Sequence, residues 1–232
     1  MKGICFIQPL FNAVVEGRKM QTRRVCIPQP HRFENTNFTH IYLSNGDLHI
    51  VEGGEVVEVL KPRYKIGETL YLKEPYCFEY GDCGELHYKY AGKDEFDDFK
   101  LDSNSDFSKM KWKNKLFMPE KFARYFIEIT GVRCERLQDI SGEDCLKEGI
   151  IEMDWECASD IHSHLVNSGN VYGWDEDCNN GNGNIEYSTP QQAFAALINS
   201  IEKGTWEQNP YVWVYDFKLK NKVNRVGYGY CL

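Results

Sequence analysis

At 232 residues, with 42% hydrophobic and 14% aromatic side chains, the chain holds enough apolar material for a packed core, which excludes wholesale disorder. A net charge of -8 excludes a protein that coats nucleic acid by bulk charge, and no apolar run approaches the ~18 residues of a membrane helix. Nine cysteines without a CxxC pair, behind an N-terminus with no apolar leader, read as free thiols in a reducing cytoplasm.

In chain order, "KGICFI" (2–7) predicts a buried first strand. Pro9 suits the first turn of a helix that continues through Leu10, Ala13 and Val14 and stops at Gly17. "RRVCI" (23–27) predicts a strand ended by Pro28 and Pro30. A meander follows: Asn45-Gly46 marks a two-residue hairpin turn, and Gly53-Gly54 leads into "VVEVL". "ETLYLKEPY" (68–76) and "ELHYKYAG" (85–92) predict two more strands, and the polar stretch 93–115 a surface excursion. In the long strand predicted over 123–137, Tyr125, Ile127 and Ile129 alternate with Phe126, Glu128 and Thr130, which sets the glutamate opposite the apolar row. Ser141 with Asp144 caps a short helix that Gly149 ends. Residues 151–188 read as an inserted loop region. Thr189-Pro190 with Gln192 opens a helix burying Phe194, Leu197, Ile198 and Ile201, closed by Gly204, and "YVWVYDF" (211–217) is the last strand. Many short strands with few helices predict a β-barrel or curled sheet with helices packed on it.

Charge is uneven. Residues 1–32 carry six basic residues against one acid, a local net of +5, whereas 141–189 carry eleven acids against Lys147. Cys157, His162, His164 and Cys178 are ligand types at irregular spacing in the insertion and read as a polar loop rather than a zinc site; Cys83 and His87 alone cannot close one. No local signature supports a nucleophilic cysteine. Tyr211, Trp213, Tyr215 and Phe217 could stack bases, but strand spacing makes most of them core.

The stretch "EGRKMQTRRV" (16–25) has two readings. In the first, Arg18 and Lys19 complement a helix C-terminus, and Arg23 and Arg24 lie exposed on a strand. In the second, a neutral Lys19 takes a proton from the Thr22 hydroxyl, a carboxylate such as Glu128 orients the amine, and Arg24 holds a phosphate or carbonyl oxygen.

This stretch resembles the G-x-K-x-x-T-x-R signature of the ASCH domain, a branch of the PUA-like fold, with Gly17, Lys19, Thr22 and Arg24 in the four fixed positions. "GETLYLKEPY", "MPEKFARYFIEITGVRCERLQDISGEDCLKEGI" and "GTWEQNPYVWVYDF" are similar to a phage and prophage subgroup of that superfamily. The resemblance implies an α+β fold: one small PUA-like β-barrel domain over 1–232 with flanking helices and insertions at about 31–60, 93–113 and 151–188. It implies RNA or a nucleoside as ligand; no cofactor and no metal are expected. Some ASCH proteins remove acetyl from acetylated cytidine, and by that likeness Lys19, Thr22 and Glu128 form the catalytic set. Arg18, Arg23, Arg24, Lys73 and Glu74 are then the binding residues. The alternative is a non-catalytic module that binds RNA or a modified base.

Overall fold

The structure is a computed structural model that describes residues 1–30, 40–44, 46–52, 54–80, 83–90, 111–153, 171–173, 187 and 189–220. It opens with β1 (Lys2–Cys5), α1 (Gln8–Val15) and β2 (Gln21–Val25), followed by β3 (His40–Ser44), β4 (Asp47–Glu52) and β5 (Glu55–Leu60). Next come β6 (Thr69–Lys73), β7 (Tyr76–Tyr80), β8 (Cys83–Tyr88), β9 (Phe126–Arg136) and α2 (Gly142–Lys147). β10 (Ile151–Met153), β11 (Val171–Gly173), α3 (Pro190–Ile201), α4 (Thr205–Gln208) and β12 (Tyr211–Lys220) follow. The architecture is mixed α/β with a core built mostly from sheet. Among the described residues no set of strands closes into a barrel, and no helix is long and apolar enough to cross a membrane.

The chain divides into two compact units. The first takes Met1–Gly17, Thr69–Glu128 and Leu219–Leu232. Within it β1 runs parallel to β6, from Lys2 beside Leu70 to Cys5 beside Lys73, and β6 pairs antiparallel with the start of β9. Ile4, Leu70, Leu72 and Ile127 are fully buried, which confirms the alternation expected around Glu128. Helix α1 carries Pro9 in its first turn, buries Leu10, Phe11, Ala13 and Val14, and is ended by Gly17 at φ +76°, a backbone angle that favours glycine. Phe11 meets Tyr125 edge to face, with ring centres 5.8 Å apart. The β7–β8 hairpin stands over a second cluster formed by Tyr71, Tyr76, Met118, Phe122 and Ala123.

The second unit takes Arg18–Glu68 and Ile129–Lys218. Here β12 pairs antiparallel with β2 and has the continuation of β9 on its other side. Flanked by two strands, β12 buries both faces: Val212 and Val214 on one, Trp213, Tyr215 and Phe217 on the other. The aromatic row is therefore core, apart from half-buried Tyr211 under the Arg136 guanidinium at 3.9 Å. β2 begins at Gln21 rather than Arg23, because its ladder with β12 extends to the Asp216–Gln21 pair. The predicted meander is β3–β4–β5, closed at Ser44–Asp47 with Gly46 at φ +81°. Thr189 caps α3, whose Ala193, Phe194 and Leu197 are buried; Ile201, expected inside, is 53% exposed at the last turn. The segment 151–188 was expected as loop, and its described parts include the short parallel pair β10–β11.

Candidate functional site

The candidate site is built in the second unit around the short helix α2. Ser141 Oγ accepts from Asp144 N–H at 3.1 Å and starts the helix. Gly149 at φ +99° ends it in a Schellman turn: its N–H reaches Leu146 O at 2.9 Å and the Ile150 N–H reaches Cys145 O at 3.2 Å. This turn leaves Glu148 at the C-cap, where the negative end of the helix dipole disfavours a carboxylate. Lys19 offsets that conflict. Its ammonium donates to the Glu148 main-chain carbonyl at 2.8 Å and to Oε2 at 2.5 Å, and the residue is only 1% exposed. Burial pulls the Lys19 pKa below the ordinary lysine value; Glu148 opposes that shift, and Arg24 and Arg23 reinforce it. Beside the pair, Met20 N–H donates to Lys147 O at 2.9 Å, which ties the entry to β2 onto the helix end.

Gln21 and Arg23 share one face of β2 and extend the cluster. Arg23 donates to Glu148 Oε1 at 3.1 Å, Glu135 Oε1 at 2.6 Å, Asp144 Oδ2 at 3.3 Å and Gln21 Oε1 at 2.6 Å. Its Nε is buried with no hydrogen-bond partner among the described residues, and the Phe194 ring lies 5.8 Å from the guanidinium. Arg133 joins Glu135 at 3.0 Å, Asp144 at 2.5 Å and Asp216 at 3.3 Å. Gln21 Nε2 reaches Asp216 Oδ1 at 2.7 Å. Burial alone would raise the Asp144 pKa, but Arg133 and Arg23 outweigh it and hold the carboxyl below its ordinary value. Gly131 makes room for this network, since a Cβ there would sit 2.7 Å from Asp216 Oδ2.

The network forms the wall of an open cleft of about 570 Å³ lined by Gln21, Glu135, Asp139, Asp144, Asp216, Arg133 and Lys147, among others. Four carboxylates against two cations make the lining acidic, a poor host for phosphate and a good one for hydrogen-bond donors.

The structure distributes the predicted site residues as follows. Lys19 and Thr22 lie in this unit, and the carboxylate set against Lys19 is Glu148. Thr22 is buried on β2 opposite Tyr215, on the face alternate to Gln21 and Arg23. Arg23, expected to meet a ligand, is held by three carboxylates. Arg24 is exposed and Arg18 half-buried. The other three belong to the first unit. Glu128 pairs with Lys220 at 3.0 Å, and Lys73 donates to Leu116 O at 2.8 Å. Glu74, expected among the binding residues, is 0% exposed and clamped by Arg124 at 3.0 and 2.7 Å. Sequence reasoning missed Glu148, Asp144, Glu135, Arg133 and Asp216. One signal was readable: an acid at the end of a well-capped helix needs a cation. Among the described residues no group of His, Cys, Asp and Glu could hold a metal; Cys157, His162, His164 and Cys178 lie outside them. Comparison with protein-family models, curated proteins and solved structures finds no match.

Lys19 carries a testable pH dependence. Between its lowered folded pKa and the ordinary 10.5, the folded chain binds fewer protons here than the unfolded chain. Stability from this group therefore rises with pH across that window and is lower by a constant amount below it. Urea unfolding at stepped alkaline pH should show a positive slope that Lys19→Met removes. Equal slopes in both proteins would mean that Lys19 titrates as an ordinary lysine.

Proposed function

We propose that the second unit is an amidohydrolase site of the ASCH type, within a PUA-like fold, acting on an acylated exocyclic amine of a nucleoside, with acetylated cytidine the first substrate to test. The observation that carries this is the buried Lys19–Glu148 pair with its lowered lysine pKa, one residue behind Met20 and Lys147 of the cleft lining. A lowered pKa is what a lysine base requires. The G-x-K-x-x-T-x-R likeness adds support, as does a cleft of nucleoside size whose acidic lining suits a base edge better than a phosphate.

In this reading the carbonyl oxygen of the acyl group accepts from Arg133, and Asp144 or Asp216 accepts from the nucleoside. Water attacks the acyl carbon and gives a proton to neutral Lys19, once its amine has turned from the Glu148 main-chain carbonyl toward the cleft. Glu148 carries that proton toward the leaving nitrogen as the C–N bond breaks. The products are a carboxylic acid and the free amine. Thr22, on the alternate face of β2, stays outside this step.

The test is incubation of the full chain with acetylcytidine, with free cytidine measured by chromatography. Lys19→Ala and Glu148→Gln should each lower turnover by about 100- to 10,000-fold. Arg24→Gln should leave it unchanged, and Thr22→Ala should retain most of it. Absence of cytidine release by the wild-type chain, beside a working acetylcytidine hydrolase, rejects the enzyme. The second reading then stands: a non-catalytic module for RNA or a modified base. It is favoured by the burial of Lys19, whose amine is out of contact with a ligand in the cleft as it stands.

A further inference from the structure

The first unit carries a second feature that the cleft does not use. Residues 111–121, "KWKNKLFMPEK", hold four lysines and one glutamate in a chain of net charge -8. The segment is anchored rather than loose. Lys113 N–H donates to Tyr76 O at 2.8 Å, Met118 and Phe122 are buried in the aromatic cluster, and the Asn114 side chain caps the turn Lys115–Phe117. That anchoring turns Leu116 and Phe117 outward, at 58% and 80% exposure.

Around this exposed ring the ammonium groups are fixed on carbonyls and aromatic faces. Lys73 Nζ sits on Leu116 O at 2.8 Å and over the Tyr71 ring, and Lys115 Nζ on Phe6 O at 2.6 Å. Lys113 lies 5.5 Å from the Phe78 ring centre and Lys121 5.0 Å from that of Phe122. Among the described residues no carboxylate pairs with Lys73, Lys111, Lys115 or Lys121. A carbonyl or a ring leaves a lysine's positive charge in place, so the strip keeps its cationic field.

We propose that this strip binds single-stranded nucleic acid, with Phe117 stacking on an unpaired base and Lys73, Lys111 and Lys121 set along the phosphates. Two properties choose this occupant. The charge calls for a polyanion, and an exposed phenyl ring among lysines is the arrangement by which single strands are held without sequence preference. A duplex hides its base faces and offers Phe117 nothing to stack on. The proposal does not rest on the amidohydrolase reading, and no residue of the acidic cleft enters it.

The experiment is fluorescence anisotropy of a labelled oligouridine of about 12 nucleotides with the full chain, at about 50 to 200 mM KCl. Binding should weaken with salt. The double variant Lys111→Gln, Lys121→Gln changes exposed side chains and should lower the slope of log affinity against log salt by about 1.4, two single-strand phosphates at about 0.7 each. Phe117→Ala should weaken binding about 5- to 150-fold at an unchanged slope. A duplex of equal length should bind more weakly and respond little to Phe117→Ala. Absence of binding at the lowest salt overturns the proposal. So does a slope unmoved by the lysine pair but lowered by Arg18→Gln, Arg24→Gln, which assigns the strand to the basic patch of the second unit.

Discussion

Replacing Glu148 with alanine is expected to destabilise the protein by about 3–5 kcal/mol, as measured by urea unfolding at neutral pH. The side chains of Lys19, Arg23 and Glu148 are all nearly sealed from solvent, at 1%, 1% and 5% exposure. With the carboxylate gone, Lys19 keeps the Glu148 main-chain carbonyl, a neutral acceptor at the same helix end. Arg23 keeps Glu135 and Asp144, so the lysine bears most of the loss. The double variant Lys19→Met, Glu148→Leu removes both charges and fills the space with apolar atoms. It should recover most of the lost stability, because two desolvated ions are replaced by packing. A loss under about 1 kcal/mol for Glu148→Ala would put this pair among solvated surface bridges and remove the basis for a shifted lysine.

Arg124→Met is expected to cost about 3–5 kcal/mol by the same assay, for a different reason. Here the stranded group is an acid. Glu74 is fully buried and receives two hydrogen bonds from the guanidinium, in the planar fork that matches a carboxylate. The guanidinium also lies over Tyr88, 4.0 Å from its ring centre, so methionine loses that cation–π contact as well. Lysine in place of arginine should recover only part of the loss, since an ammonium keeps the charge but not the fork. Adding Glu74→Leu to Arg124→Met should restore stability. If Arg124→Met alone unfolds as late as the wild type, Glu74 takes up a proton without penalty and the pair is dispensable.

How far the sequence could be read depended on whether a feature was local. Caps and turns were legible because the chemistry sits within four residues: Ser141 with Asp144, Gly149, Thr189 with Gln192, Gly46 and Gly17 all act where expected. The alternation at Ile127 and Ile129 was legible because one buried face imposes a period of two. Ile201 misled because periodicity shows where apolar residues lie but not where the helix outruns its neighbours. The site was legible on one side only. Lys19 was visible within a compact signature, but Glu148 lies 129 residues away and reaches it through the fold of α2 against the entry to β2. Arg23 looked like a free cation because its three acids come from β9, α2 and the end of that helix.

Gly131 gives the cleft a property that has no side chain to represent it. Asp216 occupies the space a methyl group would fill, and from there it meets both Arg133 and Gln21. The acidity of the cleft floor is therefore governed partly by an atom that is missing, at a position any comparison of charges would pass over. A residue that carries no charge and makes no hydrogen bond through a side chain sets where a charge can stand. A side chain at 131 would push the Asp216 carboxylate from this place while leaving every ionisable group in the sequence intact.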